Sequence, residues 1–135
     1  MKKNVLFIIL SLLCLSGFAQ NYKIYKKEST SAFDIKFTLE STSNGYKMYK
    51  GRSTFSSDLR YTVEKTNNGF KIYDGNSTFS SDLFYTVKAD GDGYKVYEGN
   101  SFSDLVYTIK KEDDVYKVYK GNSTFSFDLK YTIRE

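Results

Sequence analysis

The sequence predicts an all-β protein, an antiparallel β-hairpin meander of about ten strands. Three observations support this: five near-copies of one short unit follow one another, apolar and polar residues alternate within each unit, and Asn-Gly or Asp-Gly pairs lie between units. Alternation indicates half-buried strands, and these pairs are typical of tight hairpin turns. Because such a sheet has one apolar face, we expect it to curl into a barrel or fold into two packed layers. The alternative is a parallel β-solenoid with one unit in each coil.

The repeated unit is clearest in residues 69–87, GFKIYDGNSTFSSDLFYTV. Related segments divide the chain into five units, 21–44, 45–68, 69–92, 93–114 and 115–135, which we interpret as one β-repeat domain spanning residues 20–135. The fourth unit is two residues shorter than the third, between Ser101 and Asp104. A loss of two residues keeps the alternation of a strand in phase, whereas a loss of one would turn every later side chain to the other face.

Each unit is expected to contain two strands. Turns between units are predicted at Ser43-Asn44-Gly45, Asn67-Asn68-Gly69, Asp90-Gly91-Asp92-Gly93 and, without a glycine, Glu112-Asp113-Asp114-Val115, where an aspartate has to adopt the turn conformation. The turn inside the unit can lie at Gly75-Asn76 and its equivalents or at Ser56-Ser57-Asp58 and its equivalents. We favour the second position, with the glycine as a bulge in the first strand, because it sets Phe55 opposite Leu59.

Residues 1–19 have the pattern of a secretory signal peptide. Two lysines follow Met1, residues 5–15 are almost all apolar, and small residues precede a cleavage site before Gln20. The apolar run is short for a membrane span, which disfavours the alternative of an N-terminal anchor. We therefore expect an exported protein, in the periplasm, at the cell surface or outside the cell, with no integral membrane span after cleavage. Cys14, the single cysteine, lies in this leader, so no disulfide is predicted.

Composition excludes several classes of function. The chain has 20 basic and 16 acidic residues, and two of the basic ones belong to the leader, so the predicted domain is nearly balanced in charge and offers neither a nucleic-acid footprint nor a polybasic membrane patch. It has no histidine, which excludes Ser-His-Asp and Cys-His catalysis and the usual zinc sites. No phosphate-binding glycine loop is present. We therefore expect a protein that is not an enzyme and needs no cofactor.

One tyrosine of each unit forms a candidate ligand-contact face: Tyr25, Tyr49, Tyr73, Tyr97 and Tyr119. An exposed row of these rings would suit contacts with sugars or proteins, because aromatic side chains are enriched at contact sites. The alternative, which we favour for these rings, is that they pack within the β structure.

One aspartate also recurs in each unit: Asp34, Asp58, Asp82, Asp104 and Asp128. Carboxylates repeated along an array can bind calcium, but a calcium loop needs several oxygen ligands close together. A single aspartate beside serines is typical of a turn closed by a side-chain hydrogen bond, and we favour that interpretation.

The leader ending Gly17-Phe18-Ala19-Gln20 resembles those of secreted proteins of Bacteroidota, and the tandem Tyr-Lys-x-Tyr unit is similar to short β-hairpin repeats of uncharacterised proteins of that group. The unit is also loosely similar to MORN repeats in length and in its Tyr-x-Gly element. It lacks the further glycines of MORN units, so the resemblance implies no phosphoinositide or membrane role.

Together these patterns favour a secreted, non-catalytic binding module for a glycan or a protein of the cell envelope. The main alternative is a structural, self-associating surface protein, suggested by near-identical units that could continue pairing edge to edge. An outer-membrane β-barrel is disfavoured because the alternate positions of the strands carry Thr, Ser, Asp, Arg and Lys rather than a continuous apolar band.

Overall fold

Ten strands follow one another along the chain in a computed structural model that describes residues 21–135. They are β1 (Tyr22–Lys26), β2 (Ile35–Thr42), β3 (Gly45–Lys50), β4 (Leu59–Thr66), β5 (Gly69–Asp74), β6 (Leu83–Asp90), β7 (Gly93–Glu98), β8 (Leu105–Glu112), β9 (Val115–Lys120) and β10 (Leu129–Arg134). The predicted signal peptide, residues 1–19, lies outside the described residues. Within the described residues, no helix has the length and apolar character needed to cross a membrane.

The strands form a closed antiparallel barrel. Each strand pairs with its neighbours in the chain, and β1 pairs with β10 through contacts such as Ile24 with Ile133, so the sheet has no free edge. Each repeat unit supplies two successive strands. The predicted antiparallel meander of about ten strands is confirmed, with closure into a barrel as its final form, and the solenoid alternative is wrong because all neighbouring strands run antiparallel.

Two-residue turns join consecutive units at one end of the barrel, which we call the hairpin end. The turn between β4 and β5, for example, joins Thr66 to Gly69, which face each other in the register. At the turn without a glycine, Asp113 adopts a φ of 55°, as the sequence predicted. Gly69 is required for a different reason: a Cβ there would lie 1.8 Å from the carbonyl oxygen of Val87.

The connections inside the units are longer and lie at the opposite end, which we call the loop end. The expectation that the first strand continues through its glycine as a bulge is wrong. Strand β3 ends at Lys50 because Gly51, with a φ of 64°, turns the chain away from the sheet. A 3₁₀ turn at Ser56–Asp58 then leads into β4, so both candidate turn positions belong to one loop. Consequently Leu59 faces Tyr49 rather than the predicted Phe55, and Phe55 pairs with no strand residue.

Side chains on the strands alternate between the lumen and the outer surface. At the hairpin end the lumen contains one aromatic ring from each unit, followed by a middle layer of Ile, Val, Leu and Met. At the loop end it contains a second aromatic set: Phe37, Tyr61, Tyr85, Tyr107 and Tyr131. The outward positions carry mainly Thr, Lys and Glu, including cross-strand pairs such as Glu64 with Lys71.

A threonine hydroxyl in every unit ties one unit to the next. Thr38, Thr62, Thr86 and Thr108 donate hydrogen bonds of 2.6–2.7 Å to the carbonyl oxygens of Gly51, Gly75, Gly99 and Gly121. The fifth bond runs from Thr132 to the carbonyl of Lys27, at 2.5 Å, across the seam between the last and first strands. The five bonds therefore repeat around the barrel and include its closure.

Candidate functional site

The lumen holds an apolar chamber near the hairpin end. The chamber has a volume of about 180 Å³, and all ten strands contribute to its wall. The lining residues are Tyr22, Ile24, Leu39, Tyr46, Met48, Val63, Phe70, Ile72, Val87, Tyr94, Ile109, Tyr116 and Ile133. Every one is apolar or aromatic, so the chamber favours an apolar group over water.

Five aromatic side chains surround the entrance to this chamber, and we call them the aromatic collar: Tyr22, Tyr46, Phe70, Tyr94 and Tyr116. Successive ring centroids lie 5.8–6.2 Å apart. The collar exists because these residues occupy the same position of the first strand in every unit. Burial raises the pKa of the Tyr116 phenol, and the carboxylate of Asp92 raises it further, so this hydroxyl is protonated at neutral pH and can donate a hydrogen bond.

A polar vestibule of about 1140 Å³ opens outward from the collar. Its wall is formed by the hairpin turns, including residues 41–45 and 64–67, and by the end of β10. Charges of both signs line it, among them Lys65, Lys111 and Asp114. The Lys111 ammonium lies 5.9 Å from the centroid of the Tyr116 ring, which places a cation directly at the collar. The site therefore changes from charged to aromatic to aliphatic with depth.

The other end of the lumen contains phenols close to one another. The rings of Tyr85 and Tyr107 are 6.4 Å apart. Burial raises the pKa of both phenols, and the neighbouring phenols Tyr61 and Tyr131 raise them further. The Tyr85 and Tyr107 hydroxyls therefore stay neutral at physiological pH, and neither residue lines the chamber.

The predicted contact face, the set of Tyr25, Tyr49, Tyr73, Tyr97 and Tyr119, lies on the outer surface of the barrel. Tyr25, Tyr49, Tyr73 and Tyr119 are only 5–8% exposed, while Tyr97 is half-buried beneath the ring of Phe102. The Tyr49 and Tyr73 hydroxyls donate long hydrogen bonds of 3.4 and 3.5 Å to Glu40 and Glu64. As a ligand-contact face the set stays a prediction, and its low exposure favours packing.

Three of the five recurring aspartates accept a hydrogen bond that closes their own loop. The hydroxyls of Ser29, Ser77 and Ser123 donate hydrogen bonds of 2.6 Å to the carboxylates of Asp34, Asp82 and Asp128. Each carboxylate sits at the end of a 3₁₀ turn and faces its own loop. In the part of the chain that the structure describes, no three His, Cys, Asp or Glu residues are grouped as a metal site would require.

Comparison of the chain with protein-family models, curated proteins and solved structures finds no match.

The sequence contains a signal for the chamber that is absent from the predicted contact face. Tyr46 and Met48 have the i, i+2 spacing of one strand face, and the other units repeat this pair of apolar positions. The tyrosine three residues later, Tyr49, was easier to single out because it is invariant among the five units, whereas Phe70 breaks the tyrosine pattern of the collar.

Proposed function

We propose that the protein is a non-catalytic binding module that takes the apolar part of a small ligand into its barrel. The single observation that carries this proposal is the apolar chamber behind the aromatic collar. Its ligand is a small molecule, or the end of a larger cell-envelope molecule, with an apolar group and a polar remainder. The leader pattern at residues 1–19 supports export, and hence an envelope or extracellular ligand.

The size and lining of the chamber indicate what it can hold. An apolar protein cavity of about 150 Å³ stays dry and binds benzene. The chamber is slightly larger, about 180 Å³, so one aromatic ring or a short branched alkyl group fits it. A free sugar would leave its hydroxyls without partners among Ile72, Val87 and Ile109, which costs about 1–3 kcal/mol for each unpaired group.

The vestibule indicates how the rest of the ligand would be held. Lys65 and Lys111 lie around its opening, so an anionic or hydrogen-bond-accepting group can remain there while the apolar group passes the collar. The Tyr116 hydroxyl lies between the two environments. The best ligand of the site is therefore amphipathic, with its polar end toward the hairpin turns.

Binding can be followed at one side chain. Met48 lines the chamber and is the single methionine among the described residues, so a methyl-labelled protein gives a direct NMR signal from the site. We expect toluene and phenylacetate to shift the Met48 methyl resonance in a saturable manner, with phenylacetate the tighter ligand, and glucose to leave it unchanged. Absence of a saturable shift with both aromatic probes would refute the proposal.

A pair of matched variants separates binding in the chamber from binding elsewhere. Val87→Phe places a ring in the chamber and should abolish the Met48 shift. Val106→Phe is the control, because Val106 does not line the chamber and the equivalent residue of the third unit is Phe84. Equal loss of binding in both variants would contradict the assignment of the site.

A further inference from the structure

The loop end of the barrel carries exposed phenylalanines, and none of them lines the ligand chamber. Five of them are 64–94% exposed: Phe33, Phe55, Phe79, Phe125 and Phe127. This is unusual, because phenylalanine is among the residues that folded proteins most often bury. Phe102 is 59% exposed, but it lies against the outer wall, with its ring 5.3 Å from that of Tyr97. The shorter loop of the fourth unit thus turns its phenylalanine away from the other five.

The loops hold these rings outward. The Phe55 amide donates to the Ser53 hydroxyl at 3.0 Å, and the Phe55 carbonyl accepts from the Asp58 amide at 2.9 Å. Phe79 and Phe125 make the same pair of bonds. These bonds hold the backbone on both sides of Phe55, Phe79 and Phe125, so the loop sets the direction in which each side chain leaves the chain. The same loop geometry recurs in three units and presents an exposed ring in each.

Charge is divided between two sides of this end. The loops β9–β10, β1–β2 and β3–β4 are adjacent because the barrel closes between β10 and β1. Counted together with the strand residues that flank them, these loops carry eight basic residues, all exposed, which are Lys26, Lys27, Lys36, Lys50, Arg52, Arg60, Lys120 and Lys130, against four acidic ones, Glu28, Asp34, Asp58 and Asp128. We call these three loops the basic side.

The remaining two loops, β5–β6 and β7–β8, form the acidic side. Counted in the same way with their flanking strand residues, they carry Asp74, Asp82, Glu98 and Asp104 and no basic residue. Four of the five outward phenylalanines, all except Phe79, belong to the basic side. The apolar rings and the positive charge therefore coincide on the same three loops.

We propose that the basic side of the loop end docks the protein on an anionic lipid surface. Aromatic rings at loop tips can enter the boundary between headgroups and acyl chains, while lysine and arginine beside them bind the lipid phosphates. The acidic side is repelled by the same surface. The barrel therefore docks in a tilted orientation that leaves the β5–β6 and β7–β8 loops in water.

A second copy of the chain fits this surface less well. If the basic sides of two copies met, eight basic residues would oppose eight, and like charges placed together oppose association. If the basic side met the acidic side, four phenylalanines would oppose Phe79, because Phe84 is only 40% exposed and Phe102 lies against the outer wall. An anionic membrane satisfies the charge and the apolar rings at once. The docking surface and the ligand chamber lie at opposite ends of the barrel, so either proposal can fail without the other.

Differences between the repeat units indicate which substitutions the loops tolerate. Ser31 occupies the position of Phe55 in the first unit, with φ and ψ of −76° and 135° against −75° and 142°. Serine is therefore compatible with this loop geometry. The last residue of the first strand in each unit also varies, because Lys50 and Lys120 align with Asp74 and Glu98 in other units. Either sign of charge is therefore compatible with the fold at this position.

The test measures binding of the purified protein to vesicles of phosphatidylcholine with and without phosphatidylglycerol. We expect binding to the mixed vesicles alone, with loss at high salt. Phe55→Ser with Phe125→Ser should weaken it about tenfold or more, whereas Phe79→Ser, on the acidic side, should change it less than about twofold. Thermal melting checks that each variant folds.

A second set of variants in the same vesicle-binding test exchanges charges. Lys50→Glu with Lys120→Glu should weaken binding to anionic vesicles about tenfold or more, and Asp74→Lys with Glu98→Lys should strengthen it. Equal effects of the basic-side and acidic-side variants would overturn the proposal. So would absence of binding to the mixed vesicles, and in that case a dimer, seen by sedimentation without lipid and dissociated by the Phe55→Ser and Phe125→Ser changes, would assign the surface to a second copy of the chain.

Discussion

Replacing Thr132 with valine tests the seam that closes the barrel. Thr132 is 1% exposed, and its hydroxyl donates to the carbonyl of Lys27, which lies 105 residues earlier in the chain. Valine has nearly the same shape but no hydroxyl. The substitution therefore leaves the packing of the seam intact and removes one hydrogen bond between the last unit and the first.

The expected loss follows from the burial of the Thr132 side chain. An acceptor left without its partner costs about 1–3 kcal/mol where water cannot take the place of the lost hydroxyl, and at 1% exposure the position of Thr132 is closed to water. The equivalent bond of Thr62 to the Gly75 carbonyl is part-buried like that of Thr132, but the Thr62 side chain is itself only half-buried, so water can replace the lost hydroxyl and the cost should be about 1 kcal/mol or less. For a domain of this size, about 1 kcal/mol lowers the melting temperature by roughly 3–6 °C.

Urea denaturation of the two variants measures the difference directly. We expect Thr132→Val to lower the free energy of unfolding by at least about 1 kcal/mol more than Thr62→Val, with equal denaturant slopes. If Thr132→Val costs no more than Thr62→Val, then the seam contributes no more than any internal junction, and the reasoning from burial is refuted.

Three further outcomes are expected. Lys27→Gly should raise the free energy of unfolding by about 0.5–1 kcal/mol, because Lys27 has a φ of 51° where the other units have glycine; unchanged or lower stability in urea would contradict this. Gly69→Ala should lower it by about 2–3 kcal/mol, because the new Cβ meets the Val87 carbonyl, and an alanine variant as stable as the parent in thermal melting would show that the strands can separate there. Burial, and then the Glu64 carboxylate, raise the pKa of the Tyr73 phenol above its ordinary value of 10.0, so its neutral form stabilises the fold below pH 10.0 and this contribution is lost as the pH rises through the higher folded value. Melting curves with phenolate absorbance should show that alkaline loss, and Glu64→Gln should move the phenolate transition to lower pH.

The sequence was sufficient to predict the strands and the turns between units. Alternation such as Tyr61, Val63 on one face and Thr62 on the other has a period that only a strand provides. Asparagine and glycine at the turns identify positions that need special backbone conformations, and even the glycine-free turn was recognised through Asp113. Strands and tight turns depend mainly on residues close together in the sequence, so the sequence is sufficient to predict them.

The loops and the chamber could not be obtained in the same way. Gly51 ends β3 because of its φ, yet a glycine in a strand and a glycine beyond it look alike in a sequence. The lumen was also ambiguous, since both faces of the first strand carry tyrosine: Tyr46 faces inward and Tyr49 outward. Which face is the interior depends on the direction in which the whole sheet curls, and no single unit specifies that direction.

Closure also determines how the charges of the chain are arranged. Basic and acidic residues are nearly balanced in number beyond the leader, so composition predicted no membrane patch. The basic loops of units one and two lie at the opposite end of the sequence from that of unit five. Pairing of β1 with β10 makes these three loops neighbours and leaves the two acidic loops together on the other side. The charge asymmetry is thus a property of the closed barrel, and a meander that remained open would separate the basic loops by the full width of the sheet.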